Sequence, residues 1–496
     1  MSDPVRPAGS AAQPVALRPI KRIFSFPAVL VCLLTVLAVL TVRGRFNNND
    51  LWWHLKMGQM IWTTHAIPLA DPFSFTTHHQ ALVPQEWLSE VAIYAAYKWA
   101  GFQGLMFWLC FFAAAQLIAG YVLCSLSSGN LKVAFAGAML LWLFATEGFA
   151  LRPQMIAYLL LIAELILIHL GRTRNPRWFF SLPFLFLLWI NCHSSFILGL
   201  ILAVIYLFAS FFSFRMGSLV SEAWPQHRRR TFLLALGLSV AALFLNPAGI
   251  RQIRYPFDNM LGMPLMLASV AEWAPLKMSD SRGLALLAVL ILILLLPALR
   301  RAELHFDELL LLAAGTWLAV NHMRMLPVFG ILAAPILSRQ LANSWENYEA
   351  AKDRIAPNAV VIALCLLVLW IAFPGAANLE KQVEAQSPVK AVEFLRSSHL
   401  AGPMLNDYDF GGYLIWAAPE YPVFIDSRAD VYEWSGMLGE FGNWATLRTD
   451  PRVLLEKYKI GFCILGRQSP MAYVLPLMPG WKLVYSDPIA VIFART

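Results

Sequence analysis

A carboxylate and two indole rings follow the first hydrophobic segment of this 496-residue chain, in the stretch Asp50-Leu51-Trp52-Trp53-His54. An aspartate at the point where a chain leaves a membrane can act as a general base toward an acceptor hydroxyl. The aromatic rings beside it can hold a sugar or a lipid headgroup. We therefore take Asp50 as the candidate catalytic residue, and Trp53 and His54 as candidate substrate-binding residues.

A reaction in which a sugar leaves a lipid phosphate would also need cations, because negative charge builds on the departing phosphate. Arginine suits this role, since its guanidinium meets phosphate oxygens with two parallel hydrogen bonds. Arg324, with His322 or Arg152, is the candidate phosphate clamp. The further candidate substrate-binding residues come from other polar segments: Asp71, Glu86, Gln154, Asn191, His193 and Glu272.

Structural explanations compete with these assignments. Tryptophans at helix ends are commonly interfacial residues, and Asp71, which precedes a proline, fits a helix N-cap or a turn equally well. Arg152 fits a headgroup anchor equally well. His322 and Arg324 favour function, because ionisable residues between two closely connected spans are costly unless they have a role.

Such chemistry requires no cofactor, because a phosphate is already a good leaving group. If a divalent cation takes part, Asp50 with Glu86 or Asp71 would supply the hard oxygen ligands that such ions prefer. The spacing of these residues does not specify a metal. The six cysteines show neither a disulfide framework nor a metal-binding spacing.

The elements that must position these residues are membrane helices. Hydrophobic residues make up 59% of the chain and charged residues 14%, which excludes a water-soluble globular protein. Apolar runs that approach the roughly 20 residues needed to cross a bilayer recur along the sequence. We therefore predict a mainly α, polytopic membrane protein with about 11 transmembrane (TM) helices. The apolar runs lie at 24–42, 105–126, 133–146, 155–170, 179–190, 196–212, 232–245, 284–296, 309–320, 326–337 and 360–373.

Lysine and arginine occupy alternate loops of this arrangement, for example at Arg172, Arg228 and Arg339. The positive-inside rule places these loops, and with them the N-terminus, in the cytoplasm. An odd number of spans then places the C-terminus outside. The candidate site residues fall mostly in the other loops, beginning with a long first outer loop at 43–100. The net charge of +8 comes largely from the basic loops, so it indicates no nucleic-acid partner.

Three regions differ in composition. Residues 1–22 are rich in proline and alanine and are predicted to be a disordered cytoplasmic segment. Residues 23–375 form the predicted transmembrane domain. Residues 376–496 have ordinary charge density and alternating helix and strand patterns, which predict a small α/β domain outside the membrane.

The end of one predicted strand in this C-terminal domain carries charged residues. Asp426-Ser427-Arg428-Ala429-Asp430 lies where a sheet of this kind would end, which is the usual place for a site. Two interpretations stay open for these residues: a structural ion pair, or contact with an acceptor. The predicted strands of the domain are at 404–406, 423–426, 462–465 and 490–493.

On these residues the chain resembles the membrane-embedded glycosyltransferases of the C superfamily, whose relatives include protein O-mannosyltransferases and the lipid A aminoarabinose transferase. In that superfamily the first external loop carries an essential aspartate, so the resemblance implies that Asp50 is its counterpart. One departure is that Asn49 precedes Asp50, where O-mannosyltransferases typically have a paired acidic motif. More narrowly, an uncharacterised bacterial branch looks similar over about residues 23–375, through Asp50-x-Trp-Trp-His54, Asp71-Pro-Phe-Ser74, Arg152-Pro-Gln154, Trp189-x-Asn-x-His193, Asn246-Pro-x-Gly249 and Glu272-Trp273.

The resemblance implies a hexosyl- or pentosyltransferase that moves a sugar from a polyprenyl-phosphate-linked donor to a lipid, glycan or protein acceptor. It also implies a multi-pass protein of the bacterial inner membrane, with the site and the C-terminal domain on the periplasmic side and membrane lipids as partners. Two other functions stay open: a lipid or oligosaccharide transporter or flippase, and a non-catalytic scaffold for envelope assembly. A transporter should carry charges in mid-span, and the sequence offers chiefly Glu164 and His169 there.

Overall fold

The computed structural model of the protein describes residues 22–46, 48–78, 80–269, 271–300 and 302–496. These residues are mainly helical and end in a small domain that contains a β-sheet. The predicted disordered segment at 1–22 lies outside the described residues except for Arg22. The mainly α architecture with a C-terminal sheet domain agrees with the sequence prediction.

Every one of the predicted apolar runs overlaps a helix. A small three-stranded sheet interrupts the helical region and consists of β1 (Phe214–Met216), β2 (Leu219–Ser221) and β3 (Leu304–His305). The helices of this region are α1 (Phe26–Val42), α2 (Asn49–Thr64), α3 (Trp87–Ser128), α4 (Leu131–Ala145), α5 (Gln154–Thr173), α6 (Leu182–Cys192), α7 (Phe196–Ala209), α8 (Gln226–Ala242), α9 (Ile250–Gly262), α10 (Pro264–Ser269), α11 (Ser281–Arg300), α12 (Phe306–Asn321), α13 (Leu326–Gln340) and α14 (Ile355–Ala372).

Five of these helices are long and apolar enough to cross a membrane, namely α3, α4 with the turn that follows it, α5, α11 and α14. Helices α1 and α7 are apolar but shorter. Length and composition therefore single out fewer spans among the described residues than the sequence predicts. The predicted number of spans and the predicted orientation stay predictions.

The predicted first outer loop, residues 43–100, is largely helical. Helix α2 starts there because the side chain of Asn48 accepts hydrogen bonds from the backbone N–H groups of Asp50 and Leu51, at 3.1 and 3.0 Å. Helix α3 also starts within this stretch, and a break at Gly101, with a φ of 57°, separates its first turns from its long apolar part. Asp50 consequently lies in the first turn of a capped helix rather than in a loop.

The C-terminal domain is a small sheet with helices around it. Strands β4 and β5 pair in parallel, and the other neighbours pair antiparallel in the order β4-β5-β7-β6. The predicted strands at 404–406, 462–465 and 490–493 are confirmed, while β6 was not predicted. The elements are α15 (Ala376–Glu384), α16 (Val389–Ser398), β4 (Met404–Asn406), α17 (Tyr408–Ala417), α18 (Ala429–Trp434), α19 (Met437–Ala445), α20 (Pro451–Lys457), β5 (Phe462–Gly466), α21 (Pro470–Val474), β6 (Trp481–Ser486) and β7 (Ala490–Arg495).

The predicted strand at 423–426 is wrong, because this segment pairs outside the sheet. The backbone N–H of Val423 donates to the carbonyl of Phe73 at 3.1 Å, and the N–H of Phe75 donates to the carbonyl of Val423 at 3.2 Å. These bonds make an isolated bridge between Ser74 and Val423. The segment is buried, as expected, but it ties the C-terminal domain to the chain that follows α2.

Helix α17 of the C-terminal domain packs directly against the start of α2. A Cβ atom at Gly412 would lie 2.2 Å from the backbone oxygen of Asn49, so a larger residue could not approach this closely. The ring of Tyr413 meets the ring of Trp52 edge to face, with 5.0 Å between the ring centroids. These contacts hold the C-terminal domain beside Asp50.

Candidate active site

A cavity of about 700 Å³ lies between the ends of the apolar helices and the C-terminal domain. Ten of the twelve predicted site residues line it, although they come from six separate parts of the sequence. We call it the site cavity. The ten residues are Asp50, Trp53, His54, Glu86, Arg152, Gln154, His193, Glu272, His322 and Arg324.

Helix ends supply most of these side chains. Asp50 is in the first turn of α2, and Arg152 lies two residues before α5 begins. Glu272 belongs to the short 3-10 helix Ala271–Trp273, and Arg324 to the 3-10 helix Met323–Met325 between α12 and α13. Because several antiparallel helices end at the same level, polar residues distant in sequence meet without being placed inside an apolar span.

Two arginines and two carboxylates form a continuous chain in the site cavity, which we call the cavity cluster. Arg152 Nε lies 2.8 Å from Asp50 Oδ2. Arg152 Nη1 donates to both oxygens of Glu272, at 2.7 and 2.9 Å. Arg324 Nη1 lies 3.9 Å from Glu272 Oε2. The carboxylate of Glu272 therefore bridges the two guanidinium groups.

Neighbouring groups fix the clamp residues in place. Arg324 Nη2 donates to Gln154 Oε1 at 2.7 Å, and the guanidinium lies 5.3 Å from the centroid of the Trp273 ring. His322 Nδ1 lies 3.0 Å from the backbone oxygen of Trp273, which can only accept a hydrogen bond. The Nδ1 atom of His322 therefore carries a proton and donates it to this oxygen.

Electrostatics keep Asp50 ionised. Burial alone would raise the pKa of the Asp50 carboxyl, but the positive charge of Arg152, with smaller contributions that include Arg324, holds this pKa below its ordinary value. The same interaction raises the pKa of Arg152 against the effect of its burial. Asp50 is thus a carboxylate at neutral pH.

A second group of acids and histidines lies deeper in the site cavity. His54 Nδ1 is 3.2 Å from Glu90 Oε1, and His193 Nε2 is 3.3 Å from Glu86 Oε1. The backbone N–H of Ser195 donates to His193 Nδ1 at 3.0 Å, so a neutral His193 carries its proton on Nε2, the nitrogen nearer to Glu86.

Burial determines the protonation of this group. It lowers the pKa of His54 and that of His193 to about 3, so both rings are neutral at neutral pH. Burial also raises the pKa of Glu86 to about 8, even though Arg324 acts in the opposite direction. Glu86 and Asp50 therefore line the same cavity with very different affinities for a proton.

Three of these groups have the geometry to hold a metal ion. One nitrogen of His54 and one carboxylate oxygen each from Glu86 and Glu90 lie within 4.8 Å of one another. Imidazole and carboxylate donors suit zinc and similar divalent ions. The metal ligands predicted from the sequence are arranged differently, because Asp50 is paired with Arg152 and Asp71 lies outside the cavity.

Two predicted site residues do not line the site cavity. Asp71 Oδ1 accepts a hydrogen bond from Arg428 Nη1 at 2.6 Å, and Asp71 Oδ2 accepts one from Thr77 Oγ1 at 2.6 Å. Asn191 Oδ1 accepts from Trp87 Nε1 at 2.8 Å, and its amide donates to the backbone oxygen of Leu245 at 3.0 Å. Each of these residues connects separate elements of the fold. These contacts occupy their polar atoms, so neither residue is available to a ligand in the site cavity.

The C-terminal domain and α9 contribute further cavity residues, of which the sequence did not single out Tyr255 and Tyr408. Trp53 Nε1 donates to Ser427 Oγ at 3.1 Å, and Tyr255 OH donates to Asp430 Oδ2 at 2.5 Å. Tyr408 also lines the cavity. Ser427 lies in the charged stretch already considered for acceptor contact. Nothing in the sequence around Tyr255 distinguishes it from other interfacial aromatic residues.

No protein-family model matches the sequence, and no curated protein matches it. Solved structures do match. The oligosaccharyltransferase of Archaeoglobus fulgidus, tethered to an acceptor peptide with an NVT sequon, aligns with a TM-score of 0.58 and 13% identity over 96% of this chain and 75% of that chain. The same enzyme in complex with Zn and sulfate aligns with a TM-score of 0.53 and 12% identity over 94% and 73%. ArnT from Cupriavidus metallidurans, bound to undecaprenyl phosphate, aligns with a TM-score of 0.52 and 11% identity over 95% and 98%.

The chain therefore shares its fold with the oligosaccharyltransferase and with ArnT. The resemblance noted in the sequence is confirmed at the level of the fold. Together with the apolar helices, the likeness makes the chain a multi-pass membrane protein. The activity is a separate question, because one fold supports different functions and the residues of the site determine the chemistry.

Proposed function

We propose that the protein transfers a hexosyl or pentosyl group from a polyprenyl-phosphate-linked donor to a lipid, glycan or protein acceptor of the cell envelope. One observation carries the proposal. The carboxylate of Asp50 and two guanidinium groups meet in a single cavity at the ends of apolar helices, with Arg152 Nε 2.8 Å from Asp50 Oδ2. This reaction needs a carboxylate that deprotonates the acceptor hydroxyl and cations that stabilise the departing phosphate.

In this proposal Glu272 occupies the phosphate position when no donor is bound. Its carboxylate touches Arg152 and lies 3.9 Å from Arg324, and the side chain is 40% exposed. An incoming phosphate is also an anion and can form bidentate hydrogen bonds with the same guanidinium groups. The donor phosphate would displace Glu272 and take over both arginines.

The bond changes are then simple. The acceptor oxygen attacks the anomeric carbon, and the bond from that carbon to the phosphate oxygen breaks, so its electron pair leaves with the phosphate. Arg152 and Arg324 stabilise that charge. Positive charge develops on the sugar ring in such reactions, and ionised Asp50 stabilises it. Asp50 is the proposed acceptor of the hydroxyl proton.

Glu86 is a second candidate for receiving the proton. Its pKa is raised to about 8 by burial, so its carboxylate, once formed, is a stronger base than that of Asp50. It also lines the site cavity, and its Oε1 lies 3.3 Å from His193 Nε2. In this second scheme Asp50 stabilises the positive charge on the sugar and Glu86 takes the proton. The pH dependence of the rate distinguishes it from the scheme in which Asp50 takes the proton.

A divalent cation is compatible with the site. His54, Glu86 and Glu90 would hold it, and their buried carboxylates lack a contacting arginine or lysine among the described residues. When bound, the ion would supply positive charge to the same cavity. Metal analysis of purified protein before and after EDTA treatment checks this, with transfer activity measured on both samples.

The location proposed for this reaction is the periplasmic face of the bacterial inner membrane. The basic residues Arg172, Arg228 and Arg339 line the opposite end of the helices from the site cavity, which supports a non-cytoplasmic site through the positive-inside rule. The C-terminal domain then lies outside the membrane, where its cavity-lining residues can contact the acceptor.

One observation favours transport as a second candidate function. Glu164 lies in the middle of α5 and is fully buried, and its two carboxylate oxygens have no hydrogen-bond partner among the described residues. An ionisable group within a span is often part of a transport or proton pathway. Lipid flipping in reconstituted vesicles that depends on Glu164 but not on Asp50 would favour that function.

The transferase proposal is tested with purified protein, radiolabelled polyprenyl-phosphate sugars and membrane extract. Wild-type protein should move label from the lipid to an acceptor fraction, and Asp50→Asn should not. Labelled donor that is bound by both proteins but transferred by neither would instead support the non-catalytic scaffold function.

A further inference from the structure

A second cavity, of about 380 Å³, lies at the opposite end of the helix bundle from the site cavity. The same helices reach both cavities. Helix α5 contributes Gln154 to the site cavity and Arg172 to the second one. Its 20 residues correspond to about 30 Å at 1.5 Å per residue, which matches the hydrocarbon thickness of a bilayer. The two cavities are therefore about one membrane thickness apart.

Most charges around the second cavity are already compensated. Arg172 Nη1 lies 2.5 Å from Asp307 Oδ2. Arg339 donates to both oxygens of Glu308, at 2.6 and 2.5 Å. These two pairs are electrically neutral and give the cavity a rigid wall, because each arginine is held by a side chain from a different helix.

Two charged residues of the lining, Arg228 and Glu222, lie outside these pairs, and Arg228 has its side chain partly buried. Its Nη1 donates to the backbone oxygen of Arg172, and its Nε is buried without any hydrogen-bond acceptor. Among the described residues no carboxylate lies within ion-pair distance of its guanidinium. A buried donor without an acceptor costs free energy, and a guanidinium without a counter-ion adds to that cost.

The rest of the lining suits a membrane-surface ligand. Trp224 and Tyr206 both contact the Arg172 guanidinium through their rings, at 5.2 and 5.6 Å from the ring centroids. Aromatic residues of this kind are common where a membrane protein meets the headgroup layer. The other polar residues of the lining, outside the two ion pairs and Arg228, are His169, His305, Ser127, Thr173 and the exposed carboxylate Glu222.

We propose that the second cavity binds a phosphate group through Arg228, supplied by the headgroup of an anionic phospholipid or by soluble phosphate. A phosphate oxygen would accept from the unsatisfied Nε and would balance the uncompensated charge of Arg228. This site is separate from the phosphate clamp at Arg152 and Arg324, and it does not depend on the proposed transferase activity.

The test measures binding to delipidated full-length protein in detergent. The probes are short-chain phosphatidylglycerol, the matching diacylglycerol without a phosphate, and inorganic phosphate. The variant Arg228→Gln removes the proposed contact. Arg229→Gln is the matched control, because it removes one positive charge from the neighbouring residue, whose guanidinium lies over the Phe211 ring and does not line the cavity.

Phosphatidylglycerol should bind the wild type and Arg229→Gln equally, and Arg228→Gln should weaken this binding about tenfold, as expected for the loss of one charge-assisted contact. Diacylglycerol should show no dependence on residue 228. Inorganic phosphate that binds with the same dependence on Arg228 would identify a soluble ligand. Equal binding of phosphatidylglycerol and of inorganic phosphate by Arg228→Gln and Arg229→Gln would overturn the proposal.

A second measurement applies even if Arg228→Gln fails to fold. Native mass spectrometry of wild-type protein counts the phosphatidylglycerol molecules retained after delipidation, in competition with inorganic phosphate. The Arg228→Lys variant keeps the charge but loses the planar donor pair, so it should retain fewer molecules than wild type. Retention of neither ligand by the wild type would also overturn the proposal.

Discussion

Two arginine–carboxylate clusters in this protein have the same chemistry but differ in how far they are buried, although Arg428 of the second cluster also lines the site cavity. The cavity cluster contains Arg152 and Arg324, with side chains 18% and 26% exposed. The other, which we call the buried triad, consists of Arg428, Asp71 and Asp426, with side chains no more than 3% exposed. Both clusters join residues that are far apart in the sequence.

The buried triad is saturated. Arg428 donates to Asp71 at 2.6 Å and to the two oxygens of Asp426 at 2.8 and 2.6 Å. Tyr432 OH gives Asp426 a further hydrogen bond at 2.6 Å, and Thr77 gives one to Asp71. If any contact of this triad were lost, a buried charge would be left without its partner. The triad therefore holds the C-terminal domain to the chain after α2.

The cavity cluster, in contrast, can change partners. The carboxylate of Glu272 is 40% exposed and is shared unequally between Arg152 and Arg324. Water or a ligand can solvate each group if one contact is lost. The number of unoccupied donors and the access to solvent, rather than residue type, therefore distinguish a cluster that can act on a substrate from one that holds the fold.

The largest expected effect is on folding, from removal of the cation of the buried triad. Arg428→Ala leaves Asp71 and Asp426 buried without their counter-ion, and breaking a buried pair in this way costs about 3–5 kcal/mol. We expect a large loss of folded protein and a much lower melting temperature. Arg152→Ala is the matched variant and should melt close to wild type. Similar melting temperatures for the two variants would remove the distinction between the clusters.

The next effect is on catalysis without folding. Asp50→Asn should lower sugar transfer by roughly 10²–10⁴-fold, the usual contribution of a general acid or base, at an unchanged melting temperature. Asp258→Asn serves as the control, because Asp258 forms an exposed ion pair with Arg254 at 3.5 Å. Rates are measured at saturating donor. Equal rates for the two variants would exclude Asp50 from the reaction.

A smaller effect is expected from removing the anion that bridges the clamp. Glu272→Gln leaves Arg152 and Arg324 without this negative charge, so a polyprenyl phosphate should bind several-fold more tightly, on the order of one charge-assisted contact. Equilibrium binding of a fluorescent polyprenyl phosphate measures this. Weaker binding would mean that Glu272 supports the ligand instead of competing with it.

The smallest effect is the pH dependence of the rate. Because burial raises the pKa of Glu86 to about 8, a scheme with Glu86 as proton acceptor predicts a rate that increases as pH rises through 8. The stability of the folded protein should change in the opposite direction. A carboxyl whose pKa is raised in the folded protein contributes stability at pH values below its pKa in the unfolded chain, and this contribution is lost as pH rises through 8. Glu86→Gln should remove both changes. A flat rate profile around pH 8 would favour Asp50 alone or a metal-bound Glu86.

The sequence could predict which residues meet, because charge alternation between loops sorts them onto one face. Residues such as Asp50, Arg152 and Arg324 follow or precede apolar runs on that face, and helices of similar length bring them to one level. That reasoning needs only the hydrophobic period and the distribution of lysine and arginine. It therefore extends to the ten cavity residues without any knowledge of contacts.

The sequence could not predict which of two similar aspartates faces the cavity. Asp50 and Asp71 both lie near aromatic residues in the predicted first outer loop. Asp71, however, forms an ion pair with Arg428, 357 residues later in the chain. The extended segment at 423–426 was likewise assigned to the wrong partner, because its hydrophobic pattern is equally compatible with the domain sheet and with the chain near Ser74. Long-range pairing decides both cases.

In the proposed reaction, Asp50 and Arg152 act together on a phosphate-linked sugar. A double-mutant cycle on label transfer tests it most directly, with Asp50→Asn, Arg152→Gln and the combined variant assayed with the same radiolabelled donor. We predict that each single variant loses most of the activity and that the combined variant is little worse than either, because residues that act as a unit are strongly non-additive. Full activity in either single variant, or losses that simply multiply in the combined one, would contradict the account.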